Sequence, residues 1–496
     1  MDQNIVAGQQ APTVEHSNNG EENLHPNYVA CFHKGLPHDD DGEVDPHAYR
    51  QLLRALASRS PESFERVAMG TVDGARLTNP LAGLARHGSG TPSDRFRLRP
   101  APRLDSAEHS AEMVELYWMA LCRDVPFVEF GSDPTVAAAV SELGELSDYR
   151  APRSDGSVTP ATVFRGDNPG DLAGPYLSQF LLRDLQFGTF RTQQRQDTVR
   201  PGQDYMTTWD TWLKIQRGFS RQLGPQDRDR NRTRYLATPR DLAHYVHFDA
   251  SQSPFQPYLH AALILQDLNM PLDTNLPYQW SINQSGFGTF GWPHLYDLVT
   301  GSTARALRTV WFQKWWVHRR LRPEVSAGLV HKHLSGRRRY DFLHPGVLES
   351  EAIRRSFARN GSYLLPQAYP EGSPTHPSYG AGHATVAGAG VTLLKAWFDE
   401  TAVIPDPVEA SPDGTTLIPY LGADAGRMTV GGELDKLAAN IAIGRNMAGV
   451  HYRSDYAGSI ELGEQVAIDM LRSQRGWFEE NYSLALTRFN GQSVTI

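Results

Sequence analysis

Apolar side chains in this chain recur at spacings of three and four residues over several stretches, the periodicity of a helix with one buried face. That pattern predicts helices over 48–56, Ala107–Leu121 and 174–185 in the first half. Four more are predicted toward the C-terminus, at 309–320, 384–398, 433–447 and 455–475. The third of these places Leu434, Leu437, Ala438, Ile441 and Arg445 on one face. Loops carrying Pro, Asp, Asn and Gly separate the helices, as at 151–170 and 269–277. Alternating strand patterns are scarce, and no repeat at a solenoid-like period occurs. The expected fold is all-α, two helical-bundle halves in one compact unit, the C-terminal helices enclosing an interior able to host a cofactor. Residues 1–45 are polar and read as an arm that orders only against a partner or the chain's own core. Residues 46–496 read as one helical domain whose chemistry lies within 305–475.

With 40% hydrophobic residues, 10 Trp, 19 Tyr and 20 Phe among 496, the chain has ample apolar surface for a large core. A formal net charge of −8 leaves no basic footprint for nucleic acid. The short run Arg337-Arg338-Arg339 reads as a solvated face or an oligomer contact. The two cysteines, Cys31 and Cys122, lack the spacing of a zinc site or a redox motif, and a disulfide between them stays open. The N-terminal stretch has no apolar signal core, and no apolar run approaches the ~20 residues of a membrane span. The default expectation is a soluble, cytoplasmic protein, although a mature periplasmic or secreted chain would read alike.

Three segments put cationic or imidazole groups where a bundle would ordinarily be apolar. In the first, Lys314 and Arg322-Pro323 are eight residues apart, about 2.2 helical turns, so that both could reach one small anion from a single long helix. A solvent-exposed basic face is the plain alternative. The second, Pro374-Thr-His376-Pro-Ser378-Tyr-Gly380-Ala381-Gly382-His383, precedes a small-residue helix. Its glycines allow close backbone approach, and the helix start offers free N–H groups to an oxyanion. A turn with a capping histidine would look the same. The third runs from Gly444-Arg445 to His451 and Asp455. Arg445 follows Ile441 by four on the apolar face, and a buried guanidinium needs an anion. His451 and Asp455, four apart, suit a carboxylate that takes one imidazole N–H and leaves the other nitrogen for a metal. A salt bridge between Arg445 and Asp455 is the structural alternative.

The joint order, Lys–(7)–Arg-Pro, Gly-His before a helix, then Arg–(5)–His–(3)–Asp, resembles the vanadium haloperoxidase and type 2 acid phosphatase superfamily. The stretches 376–389 and 449–455, and upstream 174–184, are most similar to the algal and bacterial vanadium bromoperoxidases. The resemblance implies a vanadate cofactor, replaceable by phosphate, with His451 as the vanadium ligand, oriented by Asp455 or a nearby carbonyl. It also implies Lys314, Arg322, Arg445 and the Gly382 N–H on the oxygens, and His383 as the acid–base residue. Lys314 would further polarise the peroxide, and His376 would sit near the halide. The implied substrates are hydrogen peroxide, a halide and small organic nucleophiles, in a homodimer or higher symmetric homo-oligomer with no nucleic-acid or membrane partner. A structural calcium has no support in the sequence.

Two positions depart from the family's pattern. Ala381 stands where a serine usually donates to the oxyanion, a loss of about 1–3 kcal/mol unless water or Ser378 substitutes. Gln313 stands where some bromoperoxidases have arginine, so bromide, chloride and iodide all remain candidate halides. Among other motifs, Gly286-Phe-Gly288-Thr-Phe-Gly291 spells a dinucleotide fingerprint but lacks a preceding strand and, with Trp292-Pro293 after it, an uninterrupted helix. His331, Lys332 and His333 read as a surface loop. The rival functions are a phosphatase using the same pocket and a non-catalytic oligomeric protein that has kept it.

Overall fold

The chain writes its own helix boundaries. Asp45, Ser106, Asp133 and Thr429 each accept a backbone N–H of the first turn that follows, at His47, His109, Thr135 and Gly432. Pro46, Pro134 and Pro323 occupy first-turn positions, where a missing N–H costs nothing. The computed structural model describes residues 14–88, 90–221 and 227–496.

Twelve helices of eight or more residues lie among the described residues: α1 Pro46–Ser58, α2 Ala107–Leu121, α3 Pro134–Glu145, α4 Trp209–Gln216, α5 Pro239–Gln252, α6 Gln256–Asp267, α7 Trp292–Phe312, α8 Pro323–Leu334, α9 Glu351–Asn360, α10 Gly382–Lys395, α11 Val430–Met447 and α12 Arg453–Gln474. The strands described form four separate two-stranded antiparallel pairs. The mainly helical architecture agrees with the all-α expectation.

Helix α10 is the hub of the C-terminal half. It packs on α7, α11 and α12, and only small residues allow the approach: a Cβ on Gly388 would lie 2.1 Å from the Ile460 carbonyl oxygen, and one on Gly463 2.0 Å from that of Thr385. Helix α11 also packs on α5 and α2, and α2 carries α3 and α9. One hydrophobic cluster runs through both halves, from Leu52, Trp118 and Leu143 to Leu393, Leu434 and Val466. A smaller one gathers Met206, Trp212, Leu213, Ile215 and Leu364.

The polar N-terminal segment joins this core. Phe32 and Leu36 are buried in it, the Phe32 N–H donates to the Arg319 carbonyl at 2.8 Å, and Glu22 pairs with Arg319 at 2.5 Å. Residues 1–13 lie outside the described residues. No described helix is long and apolar enough to cross a membrane. Cys31 and Cys122 are free buried thiols, so the disulfide left open by the sequence does not form.

Four sequence expectations are corrected. The helix predicted at 174–185 is instead turns, a 3-10 turn Gln179–Leu181 and a strand beginning at Leu185. Gly174 has φ 71°, and side chains of α11 capture the backbone: the Ser178 N–H donates to Asn440 Oδ1 and the Gln179 N–H to Glu433 Oε2. The helix predicted at 309–320 ends at Phe312, continues as a π-helical segment Gln313–His318, and breaks at Arg319, which has φ 42°. His331, Lys332 and His333 belong to α8 rather than a surface loop, with His331 and Lys332 buried and Lys332 paired to Glu43 at 2.6 Å. An uninterrupted helix does follow the glycine motif, because Trp292-Pro293 opens α7; the element before the motif is helix α6, not a strand. Arg337, Arg338 and Arg339 are exposed, as a solvated face requires.

Candidate active site

The π-helical segment and the break after it decide where the first two cations point. Lys314 is fully buried, and its Nζ donates to the carbonyls of Pro377 and Ser378 at 2.7 and 2.9 Å. Arg322 is not on the same helix, as the sequence reading had it, but caps the start of α8. From there its guanidinium donates to the His376 carbonyl at 3.0 Å, the Val450 carbonyl at 2.7 Å, His451 Nε2 at 2.9 Å and His376 Nδ1 at 2.9 Å. These bonds tie the second and third sequence segments to the first.

The third segment is organised by Asp455, three residues into α12. Its carboxylate accepts from His451 Nδ1 at 2.8 Å, the Tyr452 N–H at 3.2 Å, Arg320 Nη1 at 2.8 Å and the Ser378 hydroxyl. Burial alone would raise its pKa, but Arg320, His451 and Ser378 together hold it below the usual carboxylate range. The ionised Asp455 accepts the hydrogen bond of His451 Nδ1–H, so Nε2 keeps its lone pair. That atom now accepts from Arg322, a group that can only donate. Burial first, then Arg322, pushes the His451 pKa well down, and the ring is neutral.

His383 sits in the first turn of α10, whose N-cap, Ala381, supplies no side-chain acceptor. First-turn N–H groups have no partner within their own helix, and Gly382 is the first of them. His383 Nε2 lies 3.0 Å from the Val246 carbonyl, which can only accept, so the neutral ring carries its proton there and leaves Nδ1 basic. Burial and then Arg445 lower its pKa well below the ordinary histidine value. His376, Gly382, His383, Arg445 and His451 line one cavity of about 1070 Å3; Arg322 is bonded to His376 and His451, and Lys314 to the carbonyls of Pro377 and Ser378.

Arg445 is buried, yet its Nε has no hydrogen-bond partner among the described residues, and Nη1 reaches only the Tyr369 phenol, at 3.4 Å. The alternative salt bridge from Arg445 to Asp455 is absent, since Asp455 pairs with Arg320. Lys314, Arg322 and Arg445 are thus three buried cations whose recorded partners are carbonyls, imidazoles and a phenol. Burial, and for Lys314 the neighbouring Arg322, depresses the Lys314 pKa well below its usual value, while burial moves Arg322 down to about 9. Such a cluster is costly alone and fits a multiply charged oxyanion beside a histidine nitrogen.

The comparisons agree with this chemistry. Residues 295–480 match the model of the VCPO second helical-bundle domain. A vanadium-dependent bromoperoxidase of Corallina pilulifera is 36% identical over 96% of this chain and 92% of its own length. One from Ascophyllum nodosum is also 36% identical, over 98% and 88%. This chain belongs to the vanadium-dependent bromoperoxidase family. The solved second vanadate-dependent bromoperoxidase of Ascophyllum nodosum, a homohexamer, superposes with a TM-score of 0.90 at 32% identity, over 98% of this chain and 87% of that one.

Two further features of the candidate site in this bromoperoxidase-family chain escaped the sequence reading. Arg320, which secures Asp455, is itself held by Glu112 of α2 at 3.0 Å. Glu112 is 343 positions from Asp455, and no local pattern links them. Ser378 does not replace the serine missing at Ala381, because its hydroxyl is spent on Asp455. Gln313 does not line the cavity; its amide donates to the Phe96 carbonyl at 2.7 Å. No described group of three or more His, Cys, Asp or Glu forms a cage for a metal such as calcium.

Proposed function

We propose that this chain is a vanadate-dependent haloperoxidase that uses hydrogen peroxide to oxidise bromide, and with it iodide or chloride, to hypohalous acid or its equivalent. The observation that carries this reading is the buried set Lys314, Arg322 and Arg445, with no ion pair to a carboxylate among the described residues, around a histidine whose Nε2 stays unprotonated because Asp455 accepts from Nδ1. Vanadate, when bound, supplies Lewis-acid activation of peroxide without a change of metal oxidation state. His451 is its ligand in this reading, and the two guanidiniums, the Lys314 ammonium and the Gly382 N–H hold its oxygens, a set that would also accept phosphate.

His383 accepts the proton that hydrogen peroxide must lose, at Nδ1, because Nε2–H is committed to Val246. Lys314, whose recorded partners are two neutral carbonyls, stabilises negative charge on the peroxide oxygens. His376, its ring 4.7 Å from that of Trp311, borders the halide's approach. Oxidised halogen then reacts with small organic nucleophiles. A symmetric homo-oligomer is the proposed assembly, by likeness to the homohexameric relative.

The test compares the wild type with His451→Ala. With vanadate titrated in, the wild type brominates a phenol indicator and does not hydrolyse nitrophenyl phosphate at a comparable rate, whereas the variant neither brominates nor binds vanadate by 51V NMR. A wild type that oxidises no halide at saturating vanadate sinks the proposal.

A further inference from the structure

The reaction proposed for this cavity consumes a proton. Bromide gives an electron pair to one peroxide oxygen, the O–O bond breaks, and its pair leaves on the other oxygen as hydroxide, which takes up a proton. One bromide, one peroxide and one proton thus yield hypobromous acid and water. His383 can return only the proton it removed, so one more must enter from solvent at each turnover. Most of the lining cannot supply it. Arginines keep their protons, Lys34 is buried and paired with Glu324 at 2.6 Å, and His376 and His451 accept from Arg322. One carboxylate lines the same cavity among the described residues, Glu371, and His247 Nε2 lies 3.0 Å from its Oε1. The His247 and Glu371 side chains are 22% and 15% exposed, so the pair reaches both cavity and solvent. It is also held in place. His247 follows Val246 in α5, the residue whose carbonyl lies against His383 Nε2. The His247 ring stacks on Tyr369 at 4.0 Å, and that phenol accepts from Arg445 Nη1 and donates to the Ala243 carbonyl. Lys34 Nζ ties down the Glu371 carbonyl at 2.7 Å.

We propose that His247 and Glu371 are the proton entry of this site: His247, protonated beside the Glu371 carboxylate, passes a proton across cavity water to His383 and is recharged from bulk solvent. The inference rests on the haloperoxidase reading. His247 is a positioning residue in this scheme, since it acts through His383 and does not touch the peroxide. The charged and titratable groups around it are Glu371, Arg445 of α11, Arg228, His383 of α10 and, one turn earlier on its own helix, His244. Burial lowers the His247 pKa from its ordinary value, the Glu371 hydrogen bond opposes this, and Arg445 and Arg228 add to the lowering. Removing the Glu371 charge therefore moves the titration of His247 to lower pH, and with it the range in which His247 can donate.

The experiment follows bromide oxidation as peroxide consumption across a pH series at saturating vanadate, in the wild type, His247→Gln and Glu371→Gln, with vanadate Kd from 51V NMR. In parallel, the ring signal that His247→Gln deletes is titrated in the vanadate-free, 15N-histidine-labelled wild type and Glu371→Gln. His247→Gln should lower kcat above neutral pH by at least about tenfold, leave the bromide KM and the vanadate Kd within about twofold, and regain rate with added imidazole. Glu371→Gln should move both the alkaline limb of kcat and the His247 ring titration to lower pH by at least about half a unit. A His247→Gln enzyme with the wild-type kcat and pH profile overturns the proposal. So does a slower one whose profile keeps its shape and ignores imidazole, because that is the mark of a structural role. If His247→Gln does not fold, Glu371→Gln decides alone, and an unmoved alkaline limb overturns the proposal. A wild type that oxidises no bromide defeats the haloperoxidase reading and this proposal with it, and is told apart because every other outcome requires wild-type turnover.

Discussion

Replacing Arg445 by methionine should make the vanadate-free protein more stable while crippling its binding of vanadate. The guanidinium is buried with Nε unpartnered and only a 3.4 Å contact to the Tyr369 phenol. An unsatisfied buried polar group costs about 1–3 kcal/mol, and more when charged. Methionine keeps the length and helix propensity of arginine and forfeits the long 3.4 Å contact to the Tyr369 phenol and a cation–π contact, 5.4 Å from the Tyr369 ring, worth about 0.5–1 kcal/mol. The net gain is about 1–2 kcal/mol. With an unfolding entropy of about 2 cal/mol/K per residue, that raises Tm by about 1–2 °C for a chain of this size. Vanadate should reverse the ranking. At a concentration 100-fold above its Kd it stabilises the wild type by about 2.7 kcal/mol. A lost charge-assisted contact of about 3 kcal/mol raises the variant's Kd roughly a hundredfold, leaving it about 0.4 kcal/mol at the same concentration. Thermal melts of both proteins across a vanadate series, with Kd from 51V NMR, check this. An Arg445→Met protein less stable than the wild type without vanadate, yet binding vanadate normally, would refute the claim that Arg445 is kept for an anion.

Ala381→Ser should tighten vanadate binding by about 1 kcal/mol, roughly fivefold, by restoring a hydroxyl donor beside the first turn of α10. As a new N-cap it should also raise the stability of the vanadate-free protein by about 1 kcal/mol, so isothermal titration and melts are read together, and an unchanged Kd would show that the hydroxyl only caps the helix. Gly463→Ala places a methyl against the backbone of α10 and should destabilise by about 1–3 kcal/mol or more; a neutral effect in urea unfolding would mean that the α10–α12 crossing is looser than described. Stability should also fall with acidity. Burial lowers His38 to about 4 and holds His33 and His109 well below their usual range. Against an unfolded value of about 6.5, the folded state binds fewer protons between about pH 6.5 and 4. Stability is therefore complete above that window and is lost as pH drops through it, by up to about 1.4 kcal/mol per pH unit for each histidine. Urea midpoints at pH 7, 6 and 5 that do not change would contradict this.

Helices α2, α10, α11 and α12 were legible within a few residues because their periodic apolar faces, caps and prolines act over a few neighbouring positions. The residues proposed to carry the chemistry stood out as well, since Lys314, Arg322, His383, Arg445, His451 and Asp455 are residue types that a core does not tolerate without cause. Tertiary structure decided how they meet. The sequence suggested one helix carrying both Lys314 and Arg322; a π-helical segment, a left-handed Arg319 and a new helix start place them instead. The segment 174–185 lost its helix to side chains of α11 that offered its backbone other partners. Arg320, which helps keep Asp455 ionised, and Glu112, which holds Arg320, come from stretches distant from it in the chain. Periodicity and capping are short-range, so one chain discloses them; charge compensation in a dry interior is a property of neighbours in space, and only the folded arrangement selects those neighbours.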